Sequence, residues 1–303
     1  MRTGRMLIVC LLALAAGESV CVACTGLAVY SERPVYGMNF DYSPDVPVRL
    51  LIDDAYGVRT FHMAFVTGPR RMPRTVGMNE HGLFVSTQEL HPMVKAGPPG
   101  DGQQCPGGLY HQALREFSSV TEVEGHLQTT RVVDCYDLTL HLLLADPEGR
   151  AIVVEPGVGG HEITEVSDGR LVMTNFANCR FAGADRDSIY GVGAERYRTA
   201  HDLIEERFDG FDVDDAMDVL AAAASEWTRT SMVFDPLAGE VFVALEGDFS
   251  RIFRVSIEEA TVETHTGFDE HESWKLGRFG VSTAVLAGAD PTFLDRVIDL
   301  FTW

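Results

Sequence analysis

The chain has 303 residues, 46% of them hydrophobic and 23% charged, which gives enough apolar content for a sizeable core and excludes a disordered polymer. Acidic residues outnumber basic ones 45 to 24, for a formal charge of −21, a field that repels phosphate backbones and anionic lipid. Nucleic-acid binding and electrostatic docking on membranes are therefore disfavoured.

In chain order, Arg2 and Arg5 precede an apolar run at 6–17, and SVCVA (19–23) ends in small residues. This is the three-part layout of a secretory signal peptide, and the run falls short of the about 20 residues that span a bilayer. Removal of 1–23 predicts a mature domain of 24–303, secreted or periplasmic and with no membrane insertion after processing. Cys10 and Cys21 fall in the leader, leaving Cys24, Cys105, Cys135 and Cys179. With Cys24 kept free, at most one disulfide forms among the other three, and the sequence does not select the pair. Within 24–303 there is no CxxC pair, the Cys21–Cys24 spacing being split by the predicted cleavage, and no His-x-x-x-His spacing, so a metal site is not expected.

Short apolar or alternating runs at 25–30, 35–40, 48–52, 60–66 and 82–90 predict strands, bounded by Gly, Pro and Asp. The stretch 98–108 predicts a loop by composition, and 109–117 and 120–130 have helical spacing. Strands follow at 138–146, 150–156, 161–166 and 170–176, then helices over 194–208 and 213–227, the second opened by acidic residues that suit a helix N-terminus. Strands at 231–236, 240–245, 251–256 and 260–266 and a helix near 291–301 end the chain. This is not a βαβ alternation. It predicts an α+β fold of antiparallel sheets, two of them stacked and covered by helix layers, in one domain.

Cys24 is the residue with the clearest chemical opportunity. As a new amino terminus it carries a thiol beside a free α-amine, whose pKa of about 7.7–8.0 suits it to take the thiol proton near neutral pH. One residue then supplies nucleophile and base. The alternative for a cysteine after a leader is lipidation, although Cys21, Val22 and Ala23 replace the leucine-led lipobox.

Cys24 and Thr25, followed by GMNFDY (37–42), resemble the opening of the choloylglycine hydrolase and penicillin V acylase superfamily, which includes acid ceramidase and isopenicillin N acyltransferase. The motifs GMNEHGL (77–83), HLLLADPEGRAIVVE (141–155), VMTNF (172–176), AERYRTA (194–200) and TSMVFDPLAGEVFVAL (230–245) continue the resemblance in the superfamily's order. It implies a four-layer αββα Ntn-hydrolase sandwich and hydrolysis of linear, non-peptide C–N amide bonds of N-acyl amines or acyl-amino-acid conjugates, without a cofactor. It also implies roles: Cys24 as nucleophile forming a thioester, Asp41 orienting the α-amine, Asn175 donating to the oxyanion and Arg196 favouring the thiolate.

Three features depart from the bile-acid branch. Met38 stands where an arginine usually precedes the Asn-x-Asp, Gln88 or Glu89 stands where a second oxyanion asparagine is expected, and the link from Asn175 to Arg196 is too short for the assembly insertion. Met38, Gln88 and Phe176 are the predicted substrate contacts. Two alternatives stay open: acyl transfer to an amine, and a non-catalytic lipoprotein lipidated at Cys24. So do a homo-oligomeric state and leader removal by self-processing instead of signal peptidase.

Overall fold

The computed structural model describes residues 24–68, 71–157 and 159–299, so the leader read at 1–23 lies outside the described residues. Strands β1 (Thr25–Tyr30), β2 (Pro34–Asp41), β3 (Val48–Asp53), β4 (Thr60–Phe65), β5 (Arg74–Asn79) and β6 (Phe84–Glu89) come first. Then β7 (Gln103–Gln104), α1 (Pro106–Glu116), α2 (Val120–Leu127) and β8 (Arg131–Val132) lead to β9 (Leu140–Ala145), β10 (Ala151–Gly157), β11 (Gly160–Glu165) and β12 (Arg170–Met173). Helices α3 (Ala194–Glu206) and α4 (Val213–Ala222) precede β13 (Thr228–Asp235), β14 (Glu240–Leu245), β15 (Asp248–Ser256) and β16 (Thr261–Thr266). The described chain closes with β17 (Ser273–Lys275), β18 (Val281–Ser282), α5 (Thr283–Leu286) and α6 (Phe293–Asp299).

Two antiparallel sheets of eight described strands result, ordered β12-β1-β2-β13-β14-β15-β16-β17 and β11-β10-β9-β6-β5-β4-β3-β18. The alternation of side chains along single strands builds four layers from them. Leu143, Val153, Met232 and Phe234 point into the core between the sheets. Their neighbours Leu142, Leu144, Ile152 and Val154 pack outward against Leu109, Leu114 and Val123 of α1 and α2. On the other sheet Leu27, Val29 and Val233 pack outward against Ile204 of α3 and Leu220 of α4. Because helices cover both outer faces, these strands read as continuous apolar runs such as HLLLA, not as alternating ones. The αββα sandwich expected from the sequence is the fold observed.

Several boundaries differ from the sequence reading. The helix starts at Pro106 inside the predicted loop, because Pro suits a first helical turn although Gly107 and Gly108 make the stretch read as coil. The strand predicted to 176 ends at Met173, and the helix predicted to 227 ends at Ala222. In both places the chain leaves regular structure to deliver polar side chains.

Cys105, at the N-cap of α1, is bonded to Cys135, with a Cα–Cα distance of 5.6 Å and a sequence separation of 30. Cys24 and Cys179 are free, in keeping with the expectation of a single bridge. Closing a loop of that length stabilises by about 3–4 kcal/mol through the unfolded state. Replacing both Cys105 and Cys135 by serine is expected to lower the unfolding free energy by that amount, read from urea unfolding with midpoint and slope both fitted, the slope rising as the uncross-linked unfolded chain exposes more surface.

Candidate active site

Cys24 enters the sandwich at the start of β1, and the pairing of Thr25 with Asn39 sets it opposite the end of β2, beside Asp41. Its thiol is buried, 3% exposed for the residue, and accepts a hydrogen bond from the Asp41 backbone N–H. In this uncleaved chain burial pushes the thiol pKa up to about 12; the Asp41 carboxylate adds to the rise and the Arg196 charge opposes it.

Asp41 is itself fully buried. Thr228 Oγ1 donates to its Oδ1 at 2.6 Å and Ser225 Oγ to its Oδ2 at 2.9 Å. Burial raises the carboxyl pKa above its ordinary value, and those two hydroxyls and Arg196 counter the rise. Local backbone explains the geometry: a register shift between Thr228 and Thr230 brings Thr228 opposite Asp41, and the early end of α4 frees Ser225.

Arg196, in the first turn of α3, ties this corner together. Nη1 donates to the Cys24 carbonyl at 2.5 Å and to Thr25 Oγ1 at 3.0 Å, and Nη2 donates to Asn175 Oδ1 at 2.9 Å. Asn175 Nδ2 in turn donates to the Glu89 carbonyl at 2.8 Å. The planar guanidinium spans acceptors on three segments, which a lysine ammonium does not. Gly193, at φ +84, lets the guanidinium approach, since a Cβ there would lie 2.7 Å from Nη2 and 2.8 Å from Thr174 Cβ.

The turn after Asn175 is pinned from below. Glu155, buried beneath it, accepts from the backbone N–H groups of Asn178 at 2.8 Å and Cys179 at 2.7 Å, and lies 3.1 Å from His141 Nδ1. Burial pushes its carboxyl up, but the bonds from His141 and Cys179 outweigh that and hold it below its ordinary value.

Cys24 is on the wall of a cavity of about 370 Å³, with Phe40, Tyr42, Phe65, Gln88 and Glu89 among its lining. The three rings pack together with centroids 4.8–5.7 Å apart. Gln88 is buried at 1% exposure, and neither its Nε2 nor its Oε1 has a hydrogen-bond partner among the described residues. Gly26 makes room for it, since a Cβ there would sit 2.7 Å from Gln88 Nε2.

The structure thus brings Cys24, Asp41, Asn175 and Arg196 together and sets Gln88 on the same cavity. Met38 and Phe176 correct the sequence reading of the pocket. Met38 pairs with Met232 deep in the inter-sheet core, and Phe176 packs on Phe181 and Tyr197, facing a separate cavity of about 390 Å³. Ser225, Thr228, Gly193 and Glu155 escaped the sequence reading as functional residues. Only Glu155 carried a signal, as the acidic end of an otherwise apolar strand.

Among solved structures, a mutant of conjugated bile acid hydrolase from Clostridium perfringens superposes with a TM-score of 0.60 at 16% identity, over 84% of this chain and 97% of that one. A second variant of that enzyme gives 0.59 at 17%, over 84% and 98%. Penicillin V acylase from Agrobacterium tumefaciens gives 0.58 at 17%, over 80% and 90%. At these identities the likeness establishes the fold. No curated protein matches the chain in sequence. The family model for linear amide C-N hydrolases of the choloylglycine hydrolase family matches residues 24–185, more than half of the sequence. The chain belongs to that family, the linear amide C-N hydrolases, enzymes that cleave non-peptide C–N bonds.

Proposed function

We propose that this protein is an extracytoplasmic cysteine amidohydrolase that cleaves N-acyl amines or acyl-amino-acid conjugates through a thioester on Cys24. The observation that carries the reading is the cluster itself: a buried thiol on a cavity wall, beside a buried carboxylate, with Arg196 linking the Cys24 carbonyl to Asn175. Export is supported by the leader layout at 1–23 and by the Cys105–Cys135 disulfide, a bond that persists in oxidising compartments.

The chemistry follows from the free amino terminus. Once 1–23 are removed, the Cys24 α-amine takes the thiol proton, and Sγ attacks the amide carbonyl. Asp41 accepts a hydrogen bond from the amine and orients it, while Asn175, with Gln88 on the same wall, donates to the oxyanion. The protonated α-amine gives its proton to the departing amine, leaving a thioester. Water, deprotonated by the same α-amine, attacks the thioester and releases the acid.

Intact-mass analysis tests this. The secreted protein is expected to begin at unmodified Cys24, and acid quenching during turnover of an activated N-acyl amide is expected to add one acyl mass to the Cys24 peptide. An active enzyme that retains its leader, or a diacylglycerol adduct on Cys24, overturns it.

A further inference from the structure

The cavity beside Cys24 holds a carboxylate that no cation among the described residues balances. Glu89 is on its wall, with its side chain 25% exposed. It shares that wall with Cys24 and the aromatic trio; burial raises the Cys24 thiol and the Tyr42 phenol, and the Glu89 charge adds to both, while burial raises the Glu89 carboxyl itself. Among the described residues its ion-pair partner is His91, with Nε2 3.8 Å from Oε2, and burial pushes that imidazole below its ordinary pKa, so it is largely neutral at pH 7. Among the other titratable lining groups, Arg74 pairs through Nη2 with Asp53 at 2.7 Å while its buried Nη1 has no hydrogen-bond partner among the described residues, and His111 is pushed down to about 4 by burial and the nearby arginines, so neither is paired with Glu89.

A partly desolvated carboxylate without a counter-ion is costly, and a bound cation offsets that cost. Two further features favour the same ligand. The faces of Phe40, Tyr42 and Phe65 attract cations as well as apolar groups, and Gln88, with both amide ends unpartnered among the described residues, can accept from an ammonium through Oε1 while Nε2 serves the oxyanion. The acyl group stays joined to Sγ through both half-reactions, so a cavity walled by Cys24 holds the acyl portion throughout.

Resting on the hydrolase reading above, we propose that this cavity takes an apolar acyl group carrying a positively charged nitrogen, and that Glu89 excludes acyl groups bearing a carboxylate or sulfonate. Glu89 is a specificity determinant.

The test uses the mature secreted enzyme and three 4-nitroanilides of phenylacetic acid, bearing aminomethyl, methyl or carboxymethyl at the para position of the acyl ring. In the parent enzyme kcat/KM is expected to fall in that order, with about tenfold or more between the two charged probes. Glu89→Gln is expected to shrink the cation-to-anion ratio about tenfold, and Glu89→Asp to keep the order. Raising the salt from about 0.05 to about 1 M is expected to shrink the parent's ratio as well, which needs no variant to fold. A parent preference for the anionic probe, a ratio unmoved by Glu89→Gln in a protein that melts normally, or a ratio blind to salt overturns the proposal. If the methyl probe is cleaved with no effect of charge, this inference alone fails. If none of the three is cleaved, the hydrolase reading fails and takes this one with it.

Discussion

Cys24→Ala is expected to fold, to lose its leader to signal peptidase, and to hydrolyse N-acyl amides about 10⁵–10⁶-fold more slowly than the parent, the scale of losing a nucleophile outright. The fold survives because the substitution removes one sulfur from the edge of a core filled by Phe40, Met63, Phe84 and Met232, at a cost of about 1 kcal/mol. The α-amine, Asp41 and Arg196 all remain, since Arg196 holds the Cys24 backbone carbonyl and not its side chain. What disappears is the atom that attacks. The leader separates two mechanisms at the same time: a variant that retains 1–23 assigns processing to the Cys24 thiol, whereas a variant chain that begins at the substituted position assigns it to an external peptidase. The uncleaved parent supplies a companion measurement. With its thiol pushed up to about 12, leader-bearing protein is expected to resist iodoacetamide at pH 7.5, and the processed chain to react at Cys24.

The layers of the fold were legible because burial on both faces leaves a mark in sequence. Runs such as HLLLA and AIVVE are too short and too rich in branched residues for helices, and each alternates between Leu143 or Val153 in the inter-sheet core and neighbours beneath α1 and α2. Short edge strands left no such mark. β7, β8, β17 and β18 are two or three residues long, and their pairing is set by tertiary contacts. In the site, Asp41, Asn175 and Arg196 stand out in the sequence only through motifs in a fixed order, whereas Cys24 stands out also through its place after the leader. Met38 and Phe176 were misplaced because proximity to a motif in sequence does not fix depth. Along β2 it is Phe40, not Met38, that reaches the cavity, and after Met173 the chain turns Phe176 away from it. Ser225 and Thr228 were illegible for another reason. Ser225 sits where a helical pattern runs on past the true helix end and Thr228 just beyond that pattern, and their hydroxyls acquire meaning only when β13 is laid against β2.

Those two hydroxyls frame the second large effect. Asp41→Asn is expected to lower kcat/KM about 10³–10⁴-fold, the scale for isosteric loss of an orienting carboxylate, while leaving the protein as stable or more stable at pH 7. The activity falls because an amide cannot hold the terminal amine as an ion-pair acceptor. Packing is kept because Thr228 and Ser225, 2.6 and 2.9 Å from the carboxyl oxygens, can rotate to meet an amide N–H as acceptors. The sign of the stability change follows from the raised pKa of Asp41. A carboxyl that binds its proton more tightly folded than unfolded contributes stability below the unfolded value and loses it as pH rises through the folded value. Wherever Asp41 is ionised, the leader-bearing parent, which has no terminal amine beside it, therefore carries the cost of a buried charge that the neutral asparagine does not, and the melting comparison is made on that form. Thr228→Val tests the same group from the other side. It removes a donor that favours the ionised form, so the Asp41 pKa rises further and the acid limb of the kcat/KM profile moves to higher pH. A purely structural role for Asp41 predicts the reverse pattern, with a lowered melting temperature for Asp41→Asn and an acid limb indifferent to Thr228→Val.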